Sequence, residues 1–326
     1  MKIVFFGTPE FAVPSLDRLV ADGHEIAAVV TMPDKIAGRG HKLIQSDVKK
    51  YAVEHGLKVM QPEKLKNPEF LSELQSLQAD LFVVIAFRML PEAVWAMPPK
   101  GTFNLHAALL PKYRGAAPIN RAIMNGETET GVTTFFLNHD IDTGSIIDQQ
   151  RIDILPEDNV GTVYDRLMVL GADMVSKTVR DIENGCVKPL PQPEGEFIPA
   201  PKIFKEDMAI HWDRPAVEIH NQVRGLSPYP AAYSALELLN HAPMDVKIYT
   251  TALTDEPSTG IVPDAGNEDS TGIVPGGVRI EKKRLLVATS DRWLEIVELQ
   301  PAGKKRMAAS AFLLGYTPLR FKAPVL

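Results

Sequence analysis

Apolar residues in the first half of the chain come as short unbroken runs: "KIVFF" (2–6), "HEIAAVV" (24–30), "LKVM" (57–60) and "LFVVIAF" (81–87). Between them lie stretches with helical spacing: "PEFAVPSLDRLVADG", "SDVKKYAVEHG" and "PEFLSELQSLQ". A strand that faces water on one side alternates; a run that does not is covered on both faces. Strands of that kind separated by amphipathic helices predict an open, mostly parallel α/β sheet of the Rossmann-like sort. Further strands are expected at 102–107, 131–138 and 145–154, and a long helix over 160–184 that stops before Gly185.

The pattern changes at residue 186. Prolines 189, 191, 193, 199 and 201 follow without apolar periodicity, which reads as an extended tether over 186–206. Beyond it come short β-like pieces, "AAYSALEL", "VKIYTTAL", "GVRI", "RLLVATS" and "WLEIVELQ", with no long helix between them. Their close spacing predicts a small OB-like β-barrel. The expected division is a sheet domain at 1–185, the tether, and a barrel domain at 207–326. "STGIVP" occurs at 258–263 and again at 270–275, and the acidic interval 255–269 reads as a mobile hairpin insertion without chemistry.

Composition narrows the functional classes. The net charge of −6 argues against a globally basic nucleic-acid binder, so any such contact must use a local patch. One patch is present: residues 276–326 hold ten Lys or Arg against four acids. Lys282, Lys283 and Arg284 in "EKKR" and Lys304, Lys305 and Arg306 in "GKKR" stand at expected strand ends, as a phosphate-binding face would place them. A single cysteine, Cys186, excludes a disulfide framework and a cysteine-based zinc site, and no metal is expected. No run approaches the roughly 18 apolar residues of a membrane span. "MKIVFFGTPEF" lacks the architecture of a signal peptide, so a cytoplasmic protein is expected.

Two stretches carry candidate chemistry. "FFGTPEF" joins the first strand to the first helix, with Thr8 as expected N-cap and Pro9 at the first helical position. It is not a GxGxxG fingerprint, which weakens a dinucleotide-binding oxidoreductase. The strand "TFNLHA" breaks its own apolar pattern: Asn104 and His106 share one face while Phe103 and Leu105 take the other. "NHDIDTG" (138–144) ends another strand with Asp140, Asp142 and Gly144 in a tight turn. A carboxylate that orients an imidazole, an imidazole that moves a proton and an amide that holds an oxyanion make a recognisable set. No serine or cysteine nucleophile accompanies them, which favours direct acyl transfer to an incoming amine. A nucleic-acid-binding module without catalysis would explain the basic barrel and leave these three residues without a purpose.

"FGTPEFAVPSL", "PDKIAGRGHKL", "FNLHAALLPKYRGAAPI", "DIDTG" and "SPYPAA", in this order, resemble the 10-formyltetrahydrofolate-dependent formyltransferases over nearly the whole chain. "FGTPEFAVPSL" and "AGRG" point to the branch that acts on methionyl-tRNA. The resemblance implies transfer of a formyl group from 10-formyltetrahydrofolate to the α-amine of methionine on initiator tRNA, by a monomer with no stable protein partner. It implies that Asn104, His106 and Asp142 are the catalytic trio. Phe87, Arg88, Leu90, Ala108, Leu109, Leu110, Pro111 and Asp140 would line the folate pocket. Arg39 and Lys42 would lie in a flexible loop at the tRNA acceptor end, and the six basic residues named above would bind tRNA. Three positions depart from the family pattern: Ala108 stands where serine is usual, Ala86-Phe87-Arg88 where "AYG" is usual, and Ile36 where proline is common. The alternatives within the resemblance are a sugar-amine formyltransferase and a formyltetrahydrofolate hydrolase.

Overall fold

The computed structural model of the chain describes residues 1–37, 42–195, 197–258 and 274–324. They form two compact units. The first comprises Met1–Pro118, Glu129–Asp153 and Tyr164–Pro201; the second comprises Ile119–Thr128, Ile154–Val163 and Lys202–Leu326.

The first unit is built on β1 (Lys2–Gly7), β2 (Glu25–Val30), β3 (Val59–Met60), β4 (Leu81–Ile85), β5 (Thr102–His106), β6 (Glu129–Phe136) and β7 (Ile146–Asp153). Their order in the sheet is β7-β6-β5-β4-β1-β2-β3. Pairing is parallel from β3 through β5 and antiparallel for β6 and β7. Ile3 to Phe6 and Leu81 to Ile85 are buried throughout, as unbroken apolar runs require. The chain steps outward from β1 to β2 and β3, then returns to the other side of β1 for β4 and β5. That reversal opens a crevice beyond the carboxyl ends of β1 and β4, where open α/β sheets bind ligands.

Helices α1 (Val13–Ala21), α2 (Asp47–Glu54), α3 (Pro68–Ser76) and α4 (Val160–Glu183) accompany these strands. Ser46 caps α2 by accepting the Lys49 N–H at 3.1 Å, and Asn67 caps α3 with Pro68 in its first turn. The start of α1 corrects the expectation. Glu10–Ala12 is a 3-10 turn with Pro9 at its N-cap, and the Thr8 hydroxyl is buried without a hydrogen-bond partner instead of capping. Pro14 explains this: it has no N–H to give to Glu10, so the α-helical ladder cannot begin there. The run 81–87 likewise ends as a strand at Ile85, because Ala86 turns into the left-handed region at φ +47.

The core of the second unit is built from α5 (Ala216–Leu226), β8 (Ala232–Leu238), β9 (Met244–Pro257), β10 (Val278–Glu281), β11 (Arg284–Ala288), β12 (Arg292–Pro301) and β13 (Pro318–Lys322). The antiparallel order is β10-β11-β12-β9-β8-β13. A bridge between Gly277 and Arg320, with the Phe321 N–H donating to the Gly276 carbonyl at 2.8 Å, brings the two edges together into a barrel-like sheet. On β8 the residues Ala232, Ser234, Leu236 and Leu238 are buried in strict alternation, and α5 turns Ala216, Ile219, Val223 and Leu226 onto the same core. Strand β9 runs to Pro257, beyond the apolar stretch that announced it, and Glu256 is bonded to Arg279. Those residues were expected in a mobile insertion; most of that insertion, with most of the repeat, lies outside the described residues.

One buried polar latch fastens the barrel. Trp212 donates its indole N–H to Ser234 Oγ at 2.9 Å, and that hydroxyl donates to the Lys322 carbonyl at 2.8 Å. Ser234→Ala leaves a buried indole donor unpaired and is expected to destabilise the barrel by about 1–3 kcal/mol. Urea unfolding followed by tryptophan fluorescence measures this.

Candidate active site

Strand β5 carries its polar pair to the sheet edge beside the crevice. Phe103 and Leu105 are buried, Asn104 is half-buried and His106 is 7% exposed. The His106 Nε2 atom lies 2.8 Å from the carbonyl oxygen of Tyr113. A carbonyl can only accept, so Nε2 carries the hydrogen and, in the neutral ring, Nδ1 presents its lone pair. Nδ1 faces Asp142 Oδ2 at 3.8 Å, too far for a hydrogen bond and close enough for charge to matter. Asp142 Oδ2 accepts instead the backbone N–H of Gly115 at 2.9 Å.

Irregular backbone brings these groups together. Asp142 at φ +55 and Tyr113 at φ +61 both occupy the left-handed region. The turn before Asp142 is knotted by Asn138, whose Oδ1 accepts the Asp140 N–H at 3.2 Å and the Thr143 hydroxyl at 2.9 Å. Gly144 must be glycine, since a Cβ there would lie 1.6 Å from the Phe136 carbonyl oxygen. Gly115 is under the same constraint, at φ +127 with its Cβ position 2.5 Å from the Ala200 carbonyl oxygen.

The proline-rich segment up to Pro201 is stitched into the first unit. Ile146 and Leu190 exchange both backbone hydrogen bonds, at 2.8 and 2.9 Å. Tyr113 N–H donates to the Ile198 carbonyl at 2.6 Å, and Pro199–Ala200 pairs in parallel with Arg114–Gly115. Gln192 donates to the carbonyls of Asp142 and Gly144 at 2.8 and 2.9 Å, and accepts from Arg114 Nε and Nη2 at 3.0 and 2.5 Å. Gln192 does not stand out in the sequence, and Arg114 lies within "FNLHAALLPKYRGAAPI" without an expected role of its own.

The turn after β5 hangs from one hydroxyl. Thr133 Oγ1, fully buried on β6, donates to the Ala108 carbonyl at 2.6 Å. It accepts the Leu110 N–H at 3.2 Å and the Gln149 amide at 2.9 Å, and Gln149 also donates to the Leu110 carbonyl at 2.9 Å. Ala108 and Leu110 are consequently buried, and so is Leu90 in the loop after β4. These three side chains therefore present little surface of their own. Leu109, Pro111, Phe87 and Arg88 are half-buried, and Asp140 is exposed. Phe87 packs edge-on against Phe6, and Arg88 donates to the carbonyls of Glu63 (2.8 Å) and Pro62. Burial holds the Arg88 guanidinium below the usual arginine range, and its Nε has no partner. Among the described residues no group of three or more His, Cys, Asp or Glu is placed to hold a metal ion, and no helix is long and apolar enough to cross a membrane.

Residues 1–179 match the family described as formyl transferase, and residues 202–317 match the formyl transferase C-terminal domain. The chain belongs to the formyl transferase family. It is 49% identical over 321 residues to a methionyl-tRNA formyltransferase of Bacteroides fragilis, covering 97% of this chain and 95% of the relative. The enzyme of the same name in Phocaeicola vulgatus is 51% identical over 323 residues, covering 97% and 96%. Among solved structures, the fold is shared with an N-formyltransferase from Helicobacter canadensis in complex with folinic acid and dTDP-3-aminofucose. That likeness has a TM-score of 0.63 at 21% identity and covers 92% of this chain and 99% of the other. A sugar 3N-formyltransferase solved with dTDP and 5-N-formyl-THF gives 0.64 at 22%, covering 94% and 99%.

The basic residues of this formyl transferase's barrel divide by partner. Lys282 and Lys283 form the exposed two-residue turn between β10 and β11, at φ +46 and +71. Leu285 pairs with Ile296, so that turn lies beside the second half of β12, on the side of its carboxyl end, which leads to the exposed Lys304 and Lys305. Both lysine pairs therefore stand at one end of the barrel. Arg284 is bound by Glu295 at 2.6 Å, and Arg306 is bound by Glu298 and lies over the Tyr249 ring at 4.4 Å. The stems of the 33–42 loop form a two-stranded ribbon, Lys35–Ala37 with Lys42–Ile44. At its base Lys49 (2.5 Å) and Gln61 (2.8 Å) bond to Asp34 and hold its carboxyl below the usual range. Arg39 lies outside the described residues, and of Lys42 the backbone alone is described.

Thr133→Val keeps the shape at the knot and removes its hydrogen bonds. It is expected to destabilise the first unit by about 1–3 kcal/mol. Denaturant unfolding measures the loss.

Proposed function

We propose that this protein transfers the formyl group of 10-formyltetrahydrofolate to the α-amine of methionine esterified to initiator tRNA, in the cytoplasm. The observation that carries the reading is the near-full-length likeness to enzymes of that name, at 49% identity over 97% of the chain, which takes in the barrel as well as the sheet. The site's geometry supports a mechanism. The Tyr113 carbonyl selects the tautomer in which Nδ1 is free to act as a base. The attacking amine gives its proton to Nδ1 as it adds to the formyl carbon. The ring becomes cationic, and Asp142 opposite Nδ1 neutralises the charge. The Asn104 amide, beside His106 on the same face, stabilises the oxyanion of the tetrahedral adduct, and the imidazolium adds to that field. Collapse of the adduct expels the folate nitrogen, which takes back a proton from His106.

The folate co-substrate would lie along the loops at 86–90 and 108–111. The half-buried ring of Phe87 suits the face of a flat heterocycle. The exposed lysines at the barrel end would bind tRNA phosphates, and Arg39 and Lys42 would approach the acceptor end.

His106→Ala and Asn104→Ala are each expected to lower kcat about 100-fold or more, with the KM for tRNA changed less than about threefold. The assay is formyl transfer to charged initiator tRNA, with a free sugar amine and hydrolysis of the formyl-folate measured alongside. Faster turnover of either alternative would overturn the substrate assignment. Replacing Lys282, Lys283, Lys304 and Lys305 by Gln should weaken tRNA binding and flatten its log–log dependence on salt by roughly one unit for each phosphate no longer neutralised. The Arg284→Gln variant should leave that slope nearly unchanged, because Glu295 already neutralises the guanidinium.

A further inference from the structure

Gln192 lies in the proline-rich segment, outside the trio and the pocket loops. Its amide nitrogen donates to the carbonyls of Asp142 and Gly144 at 2.8 and 2.9 Å, so it spans the turn that carries the catalytic carboxylate. Its amide oxygen accepts two hydrogen bonds from Arg114, at 3.0 and 2.5 Å. Arg114 stands between Tyr113, whose carbonyl holds His106 Nε2, and Gly115, whose N–H holds Asp142 Oδ2. The contacts close into a ring: imidazole to Tyr113, along the backbone to Arg114, through Gln192 to the Asp142 turn, and back across 3.8 Å to the imidazole. The Gln192 amide donates on one side of this ring and accepts on the other, a combination that a carboxylate cannot supply.

We infer that Gln192 is a positioning residue for catalysis, setting the distance between Asp142 and His106 by clamping the 142–144 turn to the 113–115 strand. The inference rests on the proposed formyl transfer for its kinetic consequence and on hydrogen bonding alone for its structural one. Asp142 sits at φ +55 on an irregular turn, and no regular ladder fixes its carboxylate. Without the clamp the carboxylate moves, and misplacement of about 1 Å in such a constellation can lower turnover on the order of 100-fold. A residue that merely filled space could be replaced by glutamate, which has the same shape. Glutamate can still bind Arg114, but at neutral pH it cannot donate to two carbonyls.

The test uses the full-length chain with Gln192→Ala and Gln192→Glu. Both variants are expected to lower kcat tenfold to a hundredfold with KM for tRNA and for folate within about twofold. In both, hydrogen exchange at the Gly115 amide should speed up about tenfold or more, while the Phe82 amide, bonded to the Gly101 carbonyl in the sheet, stays as protected as before. Wild-type exchange at Gly115 in Gln192→Ala, or wild-type kcat in Gln192→Glu, overturns the inference. A wild-type protein that formylates no charged tRNA overturns the functional reading instead, and the Gly115 exchange still decides whether Gln192 clamps the turn.

Discussion

The 2.8 Å contact between His106 Nε2 and the Tyr113 carbonyl joins the end of a buried strand to an irregular turn seven residues later. Its direction is forced, because the carbonyl has no hydrogen to give. The ring is thereby held by one edge and its other nitrogen is turned toward Asp142. Each neighbouring structure serves to keep that carbonyl in place. Ile198 pins the Tyr113 N–H, the Thr133 hydroxyl secures the turn that leads to it, and Ala200 closes over Gly115 just beyond.

The sheet was legible in the sequence because burial on both faces leaves a direct trace, an unbroken apolar run such as Ile3 to Phe6. Asn104 and His106 stand out for the opposite reason: they interrupt such a run, and a polar pair on one face of a core strand needs an occupation. The end of the fourth strand-like run, 81–87, was harder to see, since nothing in "VIAF" announces that Ala86 leaves the strand at φ +47. The first helix misled because Thr-Pro is a fair helix start by local preference, and Pro14, five residues on, decided otherwise.

What escaped the sequence altogether are contacts between segments far apart in the chain. Thr133 lies in "GVTTFF", where threonine is an ordinary strand former, and two of its three hydrogen bonds depend on the turn 23 to 25 residues earlier. Gln192 sits among prolines that suppress any periodic signal, so a stretch that works as a brace reads as a spacer. The basic runs were visible as charge, but charge alone does not separate the exposed lysines from Arg284 and Arg306, which carboxylates on the neighbouring strand have already claimed.

The pairing of Pro199–Ala200 with Arg114–Gly115 bears on how such a chain can be cut and recombined. A splice placed at the end of α4, where the composition changes, would exchange the brace along with the barrel and leave the recipient's sheet unit with a foreign clasp around its own turn. A junction after Pro201 keeps the clasp with the turn it fits. Inheritance of the site and inheritance of the long helix therefore have different boundaries, and a hybrid made at the composition break would be expected to fold yet carry a slack active site.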